Sequence, residues 1–226
     1  EYLMKHIVEM GKISFHKQKN FPILILITAN FIIIPFILTH YGESWDENHQ
    51  YNHYADHALK AYGTWFKEGR SEGIIESSGA AKDLHGPAYI MTVEILARLA
   101  SRDGPDWLKT DIRHFMHFLT FQIGLFSLYT ICRRWLNTLT SLGTTLLFMT
   151  QPVFWGHGII NPKDMPFAAL FLLSISLGLQ MYDHIYPSVW EQVSTTWTSL
   201  DARTKRRVGI IVSVWVISVI ILFAGT

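Results

Sequence analysis

Residues 21–39 read FPILILITANFIIIPFILT, nineteen positions without an acidic, basic or histidine side chain. A helix needs about 20 predominantly apolar residues to cross the roughly 30 Å of hydrocarbon in a bilayer, so this run predicts a transmembrane helix. The chain has 226 residues, 49% of them hydrophobic and 14% aromatic, and the apolar ones are gathered in blocks instead of being spread along amphipathic faces. Four further blocks approach the same length: 114–132, 139–155, 165–182 and 208–226. The middle three carry His117, Gln122, Gln151 and Gln180, which marks them as helices that pack on other helices. The expected fold class is therefore an all-α polytopic membrane protein with about five transmembrane helices.

Roughly 20 mostly polar or basic residues precede the first block and no small-residue cleavage site follows it, so it reads as a signal anchor and not as a removed signal peptide. The chain starts at Glu1 and stops inside an apolar run, which reads as the front part of a longer protein. A net charge of +1 gives no electrostatic footprint for nucleic acid. The single cysteine, Cys132, supplies neither a disulfide framework nor a zinc-finger spacing.

Short basic loops stay in the cytoplasm. Lys5, Lys12, Lys17 and Lys19 precede the first block, Arg133 and Arg134 follow the second, and Arg203, Lys205, Arg206 and Arg207 precede the fifth. With alternating spans all three segments share one side, which makes 1–20 a cytoplasmic N-terminus. The long loop 40–113, with twelve Asp and Glu against eight Lys and Arg, then faces the other compartment, as does the turn 156–164. Within that loop, Tyr51, Tyr54, Ala55, Ala58, Leu59 and Tyr62 recur at helical spacing, so 48–66 reads as an amphipathic helix whose tyrosines suit the membrane interface. Residues 69–82 read as a turn-rich crossing. Tyr89, Ile90, Val93, Leu96, Ala97 and Ala100 predict a second juxtamembrane helix over 87–100. On the cytoplasmic side, 183–207 reads as a short helix on the inner leaflet carrying Trp190 and Trp197.

The outer segments hold the polar chemistry. Residues 42–57, GESWDENHQYNHYADH, follow directly on the first block. Asp46 and Glu47 lie near the outer membrane surface, beside the interfacial Trp45. They read either as first-turn acids behind an N-cap at Ser44 or Asp46, or as half of a site completed by Asp164, predicted at the same depth. His49, His53 and His57 are spaced four apart and form one stripe on a helix, a geometry that suits a divalent ion. His85 precedes Pro87 at a helix start, where free backbone amides favour an anion such as phosphate. Residues 161–166, NPKDMP, repeat that form: two prolines fix the helix start and Lys163 adds a cation beside Asp164.

Trp45-Asp46-Glu47, His85-Gly86-Pro87-Ala88-Tyr89 and Asn161-Pro162-Lys163-Asp164-Met165-Pro166, in this order and on one predicted face, resemble the glycosyltransferase C superfamily. The nearest branch is the protein O-mannosyltransferase and aminoarabinose transferase-like group. The resemblance covers 21–226 as the N-terminal part of such an enzyme's transmembrane domain, although Gly86 stands where family members often have a proline. It implies transfer of a sugar from a dolichyl- or polyprenyl-phosphate donor to a hydroxyl of a protein, lipid or glycan acceptor, on the non-cytoplasmic face and with inversion. In that reading Asp46 is the base and Glu47 orients it or the acceptor. His85, Lys163 and Asn161 hold the donor phosphate. Asp164 either orients Lys163 or binds a divalent metal ion with Asp46. The alternative is a non-catalytic polytopic binding or transport protein with a metal site at His49, His53 and His57.

Overall fold

The computed structural model describes residues 2–69, 87–102, 104–185 and 202–223, and among these every regular element is helical. In chain order they are α1 (Tyr2–Leu38), α2 (Trp45–Glu47), a π-helical stretch (Asn48–Ala55), α3 (Asp56–Glu68), α4 (Pro87–Ala100), α5 (Asp106–Cys132), α6 (Thr138–Thr150), α7 (Pro152–Ile160), α8 (Asp164–Ile185) and α9 (Ala202–Phe223). The turn-rich crossing 69–82 falls outside the described residues from 70 onward. So do His85 and the 186–201 part of the expected inner-leaflet segment, with Trp190 and Trp197.

Among the described residues three helices are long and apolar enough to cross a membrane: Asn20–Leu38 within α1, Asp106–Cys132, and Asp164–Asp183 within α8. They make the chain a membrane protein by length and composition. Their outward faces keep large apolar side chains uncovered, as Phe21, Ile25, Ile32 and Phe36 do on α1, which suits contact with lipid tails.

The third apolar block does not form one helix. Residue 151 precedes Pro152, whose ring disfavours helical geometry in its neighbour, and Gln151 is extended with ψ 123°. The block 139–155 is thereby divided between α6 and α7. The thirteen residues of α6 span about 20 Å, short of the hydrocarbon thickness.

α5 is the centre of the bundle. It packs most extensively on α8 and also touches α1, α4, α6 and α7. The α5–α8 approach rests on small residues: a Cβ on Gly124 would lie 3.0 Å from Ala169 Cβ and 3.1 Å from its Cα. In lipid, where apolar side chains are no worse off than in a core, close backbone approach of this kind is a main source of helix association. A polar link adds to it lower down, with Thr130 Oγ1 and Ser176 Oγ 2.7 Å apart. In the α1–α5 contact, buried Asn30 donates to Gln122 Oε1 at 2.8 Å.

Three apolar clusters line the middle of α5, between Met116 and Leu125. Tyr51, Tyr54, Ala55, Ile90 and Val93 join the loop helices. Ile34, Leu38, Phe118 and Ile159 join α1, α5 and α7. Phe121, Leu125, Met149 and Met165 join α5, α6 and α8.

The juxtamembrane helices exist as expected and bury most of their expected faces, with exceptions at single positions. The first runs without interruption from Trp45 to Glu68 through the π-helical stretch, and it buries Ala61 while leaving Tyr62 43% exposed. Its wider winding between Asn48 and Ala55 rotates the later residues away from the register that a uniform 3.6-residue repeat predicts. Tyr51 and Tyr54 pack into a protein core instead of serving as interfacial anchors. On α4, Leu96 is exposed, whereas Glu94 is fully buried.

Candidate functional site

The chain leaves α1 at Leu38 and turns over five residues into Ser44, which caps the next helix. Ser44 Oγ accepts from the Glu47 backbone N–H at 3.2 Å, and the Ser44 N–H donates to Glu47 Oε2 at 2.8 Å. This reciprocal capping box satisfies two otherwise open backbone donors. The Ser44 hydroxyl also donates to the Ile160 carbonyl at 3.2 Å. That bond ties the turn carrying Trp45, Asp46 and Glu47 to the end of α7, one residue before Asn161.

Asp46 and Glu47, adjacent in sequence, face opposite ways. Asp46 is exposed. Glu47 is completely buried, with Oε2 3.0 Å from His114 Nε2 and Oε1 3.8 Å from His117 Nε2. Buried in this way, Glu47 ties the Asp46 turn to α5 through His114, an arrangement that fits the Asp46-orienting half of its expected role. The first-turn capping role is present as well, and one carboxylate performs both.

Around Glu47 lies a polar interior that the sequence reading did not assemble. His117 bridges two tyrosines, with Nε2 3.0 Å from Tyr51 Oη and Nδ1 3.0 Å from Tyr89 Oη; Tyr89 Oη is also 3.1 Å from Thr120 Oγ1. A neutral imidazole offers one donor and one acceptor, so one tyrosine donates to the ring and the other accepts from it. Burial pushes the hydroxyls of Tyr51 and Tyr89 well above the ordinary tyrosine value, which keeps both protonated and able to donate. Four buried atoms beside this network have no hydrogen-bond partner among the described residues: Glu47 Oε1, His114 Nδ1 and both amide atoms of Gln50.

A second layer fixes the loop helices to the start of α5. Arg113, 2% exposed, donates to Glu94 Oε2 through Nε at 2.9 Å and Nη2 at 2.8 Å. It also reaches Glu43 Oε1 and Asn52 Oδ1, each at 3.3 Å, and its guanidinium lies 4.5 Å from the centre of the Tyr51 ring. The other Glu94 oxygen takes Arg98 at 2.6 Å and Lys109 at 2.8 Å. Burial alone raises the Glu94 carboxyl; the bonds from Lys109 and Arg98 and the Arg113 charge together outweigh it and hold the group below its usual range. A buried carboxylate with three cationic partners is the arrangement that desolvation requires.

On the facing segment, Asn161 is a complete helix cap. Its Oδ1 accepts from the backbone N–H groups of Lys163 at 2.9 Å and Asp164 at 2.8 Å, while its Nδ2 donates to Asp164 Oδ2 at 3.1 Å and approaches His157 Nδ1 at 3.2 Å. Each amide atom of the expected phosphate ligand is thus already engaged in positioning the segment. Asp164 is exposed and bonds to Asn161; it makes no ion pair with Lys163 among the described residues. Lys163 is half-buried and lies three residues beyond Ile160, whose carbonyl takes the Ser44 hydroxyl.

The histidine stripe is present as geometry only. His49 and His53 are exposed with ring centres 6.1 Å apart, and His57 is half-buried. Among the described residues no group of three or more His, Cys, Asp or Glu side chains is arranged to hold a metal ion. His85 cannot be located, since it lies outside the described residues.

The signal for the missed interior was Arg113, His114 and His117 at the front of an otherwise apolar block. α5 begins eight residues before that block, at Asp106, which carries these three side chains into the loop helices. No protein-family model, curated protein or solved structure matches the chain.

Proposed function

We propose that this chain is the site-bearing part of a multi-pass membrane glycosyltransferase, which moves a sugar from a polyprenyl-phosphate donor to an acceptor hydroxyl on the non-cytoplasmic face, with inversion. The observation that carries this reading is the opposition of Asp46 and Glu47. Glu47 is locked into the interior through His114, and that lock presents the Asp46 carboxylate outward from a rigid first turn. The Ser44–Ile160 bond, which ties this turn to the chain three residues before Lys163, supports the reading.

The chemistry follows from those positions. The acceptor oxygen attacks the anomeric carbon, the bond from that carbon to the phosphate oxygen breaks, and Asp46 takes the acceptor's proton. The phosphate leaves with increased negative charge, which the Lys163 ammonium stabilises. Asp164 and Asn161 hold the Lys163 segment in place, and the resemblance adds His85 on the phosphate side. A lipid-linked donor also needs an apolar berth near the outer surface. A cavity of about 350 Å³ between α1 and α5, lined by Phe31, Ile34, Leu38 and Phe115, supplies one.

In this proposal five spans alternate from a cytoplasmic N-terminus. α6 and α7 together make the third, broken at Gln151, and α9 makes the fifth. A divalent ion shared by Asp46 and Asp164 is compatible with the reaction and is not needed for the proton transfer described.

The test is transfer of label from radiolabelled polyprenyl-phosphate sugars by the protein in membranes, beside an Asp46→Asn control. Donor-dependent transfer that disappears in the control supports the reading. A folded protein that transfers no label from any donor to any offered acceptor overturns it.

A further inference from the structure

At the end of the bundle opposite Glu47, α1, α5 and α8 enclose a cavity of about 440 Å³. From His114 to Thr130, α5 rises about 24 Å, so this cavity and the outer site belong to different membrane faces. Its walls carry Arg133, Arg134, Asp183, Ser176, Gln180 and Asn20.

The charge does not cancel. Arg134 Nη1 holds Asp183 Oδ2 at 2.6 Å and donates to the Leu179 carbonyl at 3.3 Å. Arg133 is therefore the lining cation without a carboxylate partner among the described residues, its guanidinium hydrogen-bonding instead to the uncharged Tyr129 side chain. Its Nη1 donates to the Leu136 carbonyl at 2.5 Å, while its Nε is buried without a hydrogen-bond partner among the described residues. Beside it runs a line of uncharged polar groups, with Thr130 Oγ1 2.7 Å from Ser176 Oγ and Gln180 Nε2 donating to Ser176 Oγ at 3.1 Å.

The aromatic rings give the depth. The Arg134 guanidinium carbon lies 5.5 Å from the Trp135 ring centre and 6.0 Å from that of Tyr182. Both rings are largely exposed, at 66% and 44%. Exposed Trp and Tyr at a helix end mark the headgroup level of a bilayer, and Ile131, Phe126 and Leu179 complete the lining with apolar surface.

We propose that this cavity binds a phosphate group, with Arg133 as its principal cation and the Gln180 and Asn20 amides as further donors. Guanidinium and amide donors around one pocket match the oxygens of a phosphate, and basic pockets between membrane helices on the cytoplasmic side are suited to acidic headgroups. The phosphate comes from an acidic phospholipid of the adjacent leaflet or from a soluble phosphate. The site is independent of the glycosyltransferase reading, which concerns the other face.

The experiment is native mass spectrometry of the full chain in neutral detergent with dioctanoyl phosphatidylglycerol, dioctanoyl phosphatidylcholine or ammonium phosphate. One phosphatidylglycerol per chain is expected, with affinity at least about tenfold lower in Arg133→Gln and largely kept in Arg133→Lys. Gln180→Leu leaves the charge and the Arg133–Leu136 bond intact and lowers affinity several-fold, so the outcome does not depend on Arg133→Gln folding. Phosphatidylglycerol that phosphate ions do not displace identifies the lipid as the source; displacement that depends equally on Arg133 identifies a soluble phosphate. Equal retention of the two lipids overturns the proposal, as does wild-type affinity in both Arg133→Gln and Gln180→Leu.

Discussion

Glu47 and His114 meet in the interior with neither side chain exposed, Oε2 3.0 Å from Nε2. Glu47→Ala removes that bond and the capping box together, at an expected cost of about 2–4 kcal/mol. His114→Ala costs less, about 1–3 kcal/mol, because the cap remains. The double variant should fall short of the sum, the mark of a direct interaction. Exposed Asp46→Asn should stay within about 0.5 kcal/mol of wild type. Unfolding in detergent measures all four, and equal destabilisation by Asp46→Asn and Glu47→Ala would contradict the division of labour described for this turn.

Lys163 is assigned to the leaving phosphate, so its loss should be felt in transfer and not in folding. Lys163→Ala is expected to lower kcat/KM for the lipid donor by about 10²-fold, with Lys163→Arg recovering part of it. A wild-type value in Lys163→Ala would remove the ammonium from the mechanism.

Acid should loosen the loop helices before the bundle. The Asp56 carboxyl is held below its usual value, chiefly by the hydrogen bond from Lys60, and Glu94 is also lowered by its cationic partners. A depressed folded value contributes stability that is present above the unfolded value, about 4 for these groups. That stability is lost as pH falls through the folded value. Hydrogen exchange of α3 and α4 should therefore accelerate as pH drops below about 4, and Glu94→Gln should flatten that response. An unchanged profile in the variant would count against Glu94 as its origin.

The α5–α8 contact leaves little room for a side chain at residue 124. Because the nearest atoms to an added Cβ include the Ala169 backbone, Gly124→Ala is expected to shift the helices by a few tenths of an ångström, at a cost of about 1–3 kcal/mol. Ala169→Gly in the same chain should recover part of that loss. Melting temperatures of the single and double variants decide it, and additive losses would show that the contact is not the cause.

The extent of the fold visible in the sequence follows from the solvent. Apolar blocks such as 21–39 declare themselves because a bilayer demands an unbroken stretch of them, and α1, α5 and α8 meet that demand. The block 139–155 looked equally continuous, but Pro152 acts on its neighbour's backbone and divides it at Gln151. Helical periodicity located both loop helices. It placed most of each face, since Tyr51, Tyr54, Ala55 and Ala58 and then Ile90, Val93 and Ala97 are buried, but it missed Glu94, which is buried for its partners instead of its hydropathy.

The site divides in the same way. The sequence by itself determined that acids, an amide, a lysine and histidines cluster in the segments between apolar blocks, because a bilayer demands that such side chains lie outside an unbroken apolar stretch. Only the tertiary structure decided that Asp46 turns outward while Glu47 turns in, that Asn161 is a cap, and that His114, His117 and Arg113 organise the interior. Neighbours such as Asp46 and Glu47 are distinguished by partners 67 residues away in the chain, and a buried charge takes its role from whatever meets it across the packed helices.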